Sequence, residues 1–102
     1  MSEFLMPASD EALENLRDIV DELVRLFGLS SAEAVARVNS AWENEDWAEG
    51  PDLLGHEEPE HWAYRLYYEG DVAYWEPDAD RAQWRVRPAP PRDARAWTLE
   101  PD

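Results

Sequence analysis

The chain of 102 residues contains no cysteine and no lysine, and it has only four glycines and two histidines. Without cysteine there is no thiolate zinc site, redox pair, thiol nucleophile or disulfide framework. With glycine only at positions 28, 50, 55 and 70, neither a G-x-G-x-x-G loop nor a phosphate-binding P-loop can be written, which argues against nucleoside triphosphate chemistry. None of the serines, at 2, 9, 30, 31 and 40, sits in a G-x-S-x-G elbow. The chain also lacks any apolar run near the roughly 20 residues of a membrane helix, and its start, MSEFLMP, has neither the basic segment nor the apolar stretch of a signal peptide. These absences predict a soluble, cytoplasmic protein that does not enter membranes.

Acid is in excess. Twenty-four carboxylates face nine basic residues, all arginine, for a net charge of -15. Residues 1–60 carry 16 acids and three arginines, net -13, whereas residues 61–102 carry eight acids and six arginines, net -2. The arginines are scattered, so direct nucleic-acid binding, which needs a cationic face against phosphate, is disfavoured. A basic protein partner is the natural complement. The competing explanation is that acidity only keeps a small protein soluble.

Along the chain, Ser9 reads as an N-cap with Asp10 and Glu11 in the first helical turn. Leu13, Leu16, Val20, Leu23 and Phe27 then recur at helical spacing up to Gly28, a natural left-handed stop. Phe4, Leu5 and Met6 are apolar enough to fold back on this helix. Ser30 and Glu33 form a capping box for a second helix over about residues 31–44, with Ala34, Val35, Val38, Ala41 and Trp42 on one face. Two helices this close form a hairpin or corner. A DNA-reading version is disfavoured because the second helix has one arginine, Arg37, beside Glu33 and Glu43.

Residues 43–60, ENEDWAEGPDLLGHEEPE, hold eight carboxylates and no arginine, and their glycines and prolines predict a loop pinned by Leu53 and Leu54. Trp47 within it is either pinned likewise or exposed. Pro59 suits the first position of a third helix that stops at Gly70. Alternating Trp62, Tyr64, Leu66 and Tyr68 would also suit a strand, but the proline and its acidic flanks favour the helix. Residues 72–75 and 83–87 are β-prone and separated by EPDAD, so a small antiparallel β-hairpin is expected. Half of the eight prolines follow residue 87, predicting an extended tail over 88–102, with Trp97 and Leu99 available to dock it as an edge strand. The expected fold is thus α+β: a two-helix hairpin, a short third helix and a β-hairpin in one domain over residues 1–87, then the tail.

The stretch HEEPEH is the catalytic temptation. His56 and His61 lie five apart with Pro59 between them, so they do not make the one-turn H-E-x-x-H pair of a zincin. A looser site of His56 with Glu60 or His61, if the chain turns at Pro59, would suit zinc, manganese or iron. The plainer reading is a helix-start cluster, and no metal, cofactor or catalytic residue is assigned. Residues 56–75 hold six of the twelve aromatics, more than one helix face can bury. Tyrosine and tryptophan anchor interfaces because they bury large areas while keeping a polar tip, although they also fill cores.

The pattern HE-x-PE-x-WA followed by YY-x-G, read at residues 56–63 and 67–70, resembles small uncharacterised actinobacterial proteins over about residues 16–75. The resemblance implies the third helix and no activity. The expectation is a non-enzymatic, acidic interaction module, monomeric or homodimeric, of the inhibitor, immunity or antitoxin kind, binding a basic protein. Its expected contact carboxylates are Glu43, Glu45, Asp46, Glu49, Glu57 and Glu58, and its aromatic anchors are Trp47, Trp62, Tyr64, Tyr68 and Trp75. The alternative is a small-molecule site or minor enzyme in which the 62–75 aromatics line a pocket and His56, His61 or Arg65 meets the ligand's polar end.

Overall fold

A computed structural model describes residues 2–48 and 54–100 of the chain. Helix α1 spans Asp10–Phe27, and the Ser9 hydroxyl caps it by accepting the Ala12 N–H at 3.1 Å. It ends at Gly28, whose φ of 66° takes the left-handed conformation and lets its N–H reach the Val24 carbonyl. Helix α2, Ser31–Trp42, starts the same way, with Ser30 Oγ accepting the Glu33 N–H at 3.1 Å. Helix α3, Pro59–Tyr67, has its proline in the first turn, where a missing N–H costs nothing. It stops before the predicted Gly70, because Tyr68 turns extended at φ -105° and ψ 152°. Short 3-10 turns occupy Leu54–His56 and Arg81–Gln83.

The apolar stripe of α1 builds the core. Leu16, Ile19 and Leu23 are almost wholly buried, and α1 packs against both α2 and α3. Val35 and Val38 of α2, Ala63 and Leu66 of α3, and Leu54 of the first 3-10 turn close around them. Phe4 and Met6 of the lead-in join this core, as their composition suggested. Leu53, the other residue expected to pin the acidic loop, lies outside the described residues.

The expected α+β class is incorrect: the described residues form three α-helices and no sheet. The reason is local. Residues 72–75, expected as a strand, curl into turns with Tyr74 N–H on the Val72 carbonyl and Glu76 N–H on the Ala73 carbonyl. Tyr74 stacks face to face on Tyr64 of α3 at 4.5 Å, which holds this segment on the helix and away from a ladder. Residues 81–83 instead make a 3-10 turn, and Val86 pairs with Tyr68 in a single antiparallel bridge at the end of α3. That pairing has two bonds, Arg87 N–H to Tyr67 O and Glu69 N–H to Arg85 O, both 2.8 Å. The β-prone residues found a helix end as their partner. The only other bridge pairs Ala8 with Trp47 in parallel among the described residues, so Trp97 and Leu99 form no edge strand.

Asn39, on α2, is fully buried and joins both ends of the described chain. Its Oδ1 accepts the Leu5 N–H at 2.9 Å, and its Nδ2 donates to Glu3 O at 3.1 Å and to Ala96 O at 3.0 Å. Thr98 Oγ1 also donates to Glu3 O, and Ala96 is buried, so the proline-rich tail is laid against the lead-in. Replacing Asn39 with leucine orphans the Leu5 N–H and the Ala96 carbonyl, since Glu3 O keeps Thr98. At about 1–3 kcal/mol for each buried unpaired group, Asn39→Leu is expected to lower unfolding free energy by about 3 kcal/mol in urea denaturation. A loss below about 1 kcal/mol would mean that water replaces these bonds.

Candidate functional site

The start of α3 places three carboxylates in one small region. Glu58 occupies the N-cap position but its side chain makes no capping bond, Pro59 follows it, and Glu60 lies in the first turn. Glu57 and Glu58 are exposed. Glu57 approaches His61 Nδ1 only to 4.0 Å, too long for a hydrogen bond. Tyr74 is brought to these carboxylates by its stacking on Tyr64. Its phenol pKa is pushed up from the ordinary 10, first by burial and then by the negative charges of Glu60, Glu57 and Glu58.

Trp75 stands edge-on to Tyr74 at 5.2 Å and is 65% exposed, the most exposed large apolar side chain among those described. His61, Tyr64, Val72, Tyr74 and Trp75 enclose a pocket of about 230 Å³, also bordered by the Arg65–Asp71 ion pair. The site therefore combines an exposed indole, a small aromatic recess and a fringe of carboxylates. Such a combination suits a cation with an apolar stem: the carboxylates attract the charge and the ring faces hold it.

Other predicted residues have different placements. Trp47 and Trp62 both pack edge-to-face on Trp42, at 5.9 and 5.7 Å. Trp62 donates from Nε1 to Leu54 O at 3.0 Å, while the backbone of Trp47 exchanges bonds with Pro7 and Ser9. Tyr64 is buried, and Tyr68 packs against Phe27 and Trp84. These four aromatics mainly serve the packing, and Trp75 alone of the expected anchors projects outward. Glu43 is paired with Arg95 at 3.4 Å, whereas Glu45 and Asp46 are exposed and Asp46 accepts the Ala48 N–H. Glu49 lies outside the described residues. Among the described residues, no group of three or more His, Asp or Glu side chains that could hold a metal ion is formed.

Two components of the acidic surface were missed from sequence. Tyr74 belongs to the site because a stacking contact recruits it, which spacing alone does not reveal. The exposed face of α1 carries Asp10, Glu11, Glu14, Asp18 and Asp21, none of them in an ion pair with another described residue. Its signal was present, as these carboxylates recur at three and four residues opposite the apolar stripe. By contrast, Arg17 and Arg25 on this helix are engaged by Glu3 and Glu22.

No family model matches the chain, and no curated protein or solved structure is significantly similar to it. Among the described residues, no helix is long and apolar enough to cross a membrane.

Tyr74 and Tyr68 both hold their protons to higher pH in the folded state than in the unfolded chain. The unfolded chain therefore ionises first, and folding stability is expected to fall as pH rises through about 10. Ultraviolet phenolate titration should show Glu57→Gln, Glu58→Gln and Glu60→Gln together bringing the Tyr74 transition partway back. Burial, the larger cause, persists in that variant.

Proposed function

We propose that this protein is a small acidic interaction module that binds a basic protein partner in the cytoplasm, as inhibitors, immunity proteins and antitoxins do. The observation that carries the reading is the exposed Trp75 indole beside Tyr74, with Glu57, Glu58 and Glu60 acting on the same phenol. Trp75 is the anchor, and the apolar stem of a partner lysine or arginine enters the adjoining recess, its charge drawn to Glu57, Glu58 and Glu60. The net charge of -15 and the unpaired carboxylates of α1 accelerate encounter over distances up to a Debye length, about 8 Å at physiological salt. Glu45 and Asp46 add to this field, while Glu43 is already neutralised by Arg95.

The size of the recess supports a side-chain ligand over a free small molecule. The recess of about 230 Å³ falls below the roughly 300–1,000 Å³ of ordinary ligand sites. It accommodates one side chain more readily than a free substrate. The flanking surface then supplies the remaining contact area, as at other protein interfaces.

Binding to the native partner, obtained by affinity capture from the host, and to a lysine-rich peptide probe tests this directly. Binding should weaken steeply between about 20 and 200 mM salt. Trp75→Ala should cost about 2 kcal/mol of affinity, mostly through faster dissociation. Combined Glu57→Gln, Glu58→Gln and Glu60→Gln should instead slow association. Absence of binding to cationic partners at low salt, or indifference to both sets of changes, would overturn the proposal.

A further inference from the structure

A second concavity lies between α2, α3 and the tail, and its chemistry is opposite to that of the acidic surface. It is a groove of about 590 Å³ lined by Arg37, Arg65 and Arg87, with Glu69 the one carboxylate among its lining residues. Three of nine arginines thus line one groove in a strongly acidic chain. Its volume lies within the usual range for small-molecule sites.

The cations differ in how far they are already satisfied. Arg37 is 7% exposed and held rigidly: Nε donates to Glu33 at 2.9 Å, Nη1 donates to the Arg87 carbonyl at 2.9 Å, and the guanidinium lies 5.1 Å over the Tyr67 ring. Its charge is matched by Glu33, so its main part is to tie the tail wall to α2. Arg87 uses Nε for the carbonyls of Tyr68 and Arg65, at 2.9 and 3.3 Å, and has no carboxylate partner among the described residues. Among the described residues Arg65 pairs only with Asp71, at 3.5 Å with both side chains largely exposed, a pairing worth at most about 1 kcal/mol. Arg65 and Arg87 therefore retain charge for a ligand.

The remaining wall is largely aromatic and aliphatic, with Ser40 beside it, and its two indoles stand nearly perpendicular, at 84°. Trp42, Trp62 and Leu66 face the groove, together with Pro88 and Pro90. Ring faces favour a planar apolar body, and a guanidinium fork favours a planar carboxylate. We propose that this groove binds a small aromatic carboxylate, its ring against Trp42 and Trp62 and its carboxylate on Arg65 and Arg87. The groove and the Trp75 site share Arg65 as a lining residue, but their aromatic walls are different.

Titration calorimetry of the full chain with 2-naphthoate tests the assignment, using 2-naphthalenemethanol and inorganic phosphate as comparison ligands. Salt near about 150 mM screens the overall negative charge. Saturable 2-naphthoate binding should shift the indole N–H resonances of Trp42 and Trp62, with the neutral alcohol at least about tenfold weaker and phosphate weaker still. Arg65→Gln should weaken naphthoate binding about tenfold, and Glu69→Gln should strengthen it severalfold by removing a repelling charge. Trp75→Ala should leave it unchanged, which separates this site from the partner-binding surface. The inference is overturned if naphthoate does not bind saturably, if the alcohol or phosphate binds equally well, or if Glu69→Gln in a folded variant does not strengthen binding. Circular dichroism establishes that each variant is folded.

Discussion

The architecture depends on one buried amide. Asn39 has its donors and acceptor committed to three backbone groups that are far apart in sequence, at Glu3, Leu5 and Ala96. A helical hairpin by itself would leave the lead-in and the proline-rich tail without ladder partners, and buried backbone groups without partners are costly. The amide supplies those partners from the C-terminal half of α2. Phe4 and Met6 can consequently enter the core beside Leu16 and Leu23, and the tail can form one wall of the arginine groove.

Aromatic contacts replace the missing sheet. Tyr64 lies between Tyr68 and Tyr74 in parallel stacks, and Phe27 stacks on Tyr67 at 3.9 Å. Arg81 closes the cluster from outside, its guanidinium 5.0 Å over Trp84 while Nη2 donates to Tyr74 O at 3.1 Å. Ring contacts of this type add about 0.5–1.5 kcal/mol each beyond the area they bury. They hold the irregular segment after α3 without strand pairing. The same packing presents Trp75 outward, because Tyr74 next to it has turned in against Tyr64.

Charge is segregated in consequence. Glu3, Glu22, Glu33 and Glu43 are engaged by arginines, while the carboxylates on the outer face of α1 and at the start of α3 have no arginine partner among the described residues. Arg37, Arg65 and Arg87 are gathered where α2, α3 and the tail meet. The molecule thus offers an acidic aromatic surface and a basic aromatic groove, even though its arginines look evenly scattered along the chain. The proposed partner-binding and carboxylate-binding roles draw on these opposite fields.

The helices were legible because their signals are local. Ser9 and Ser30 need a backbone N–H only three positions away, Gly28 needs only its own φ, and the α1 stripe follows from helical spacing. Pro59 likewise resolved helix against strand for α3. The acidic character and the concentration of aromatics before Gly70 were equally visible. The β-hairpin was misread because β-prone residues state a preference for an extended, half-buried setting without naming a partner. Tyr64 competed for Tyr74, and the end of α3 competed for residues 85–87. Which aromatics bury and which project, the pairing of Glu43 with Arg95, and the convergence of Arg37 with Arg87 depend on contacts across tens of residues. Sequence by itself determined three helices and a negative charge; tertiary packing decided the sites, because stacking and burial select among residues that local spacing leaves equivalent.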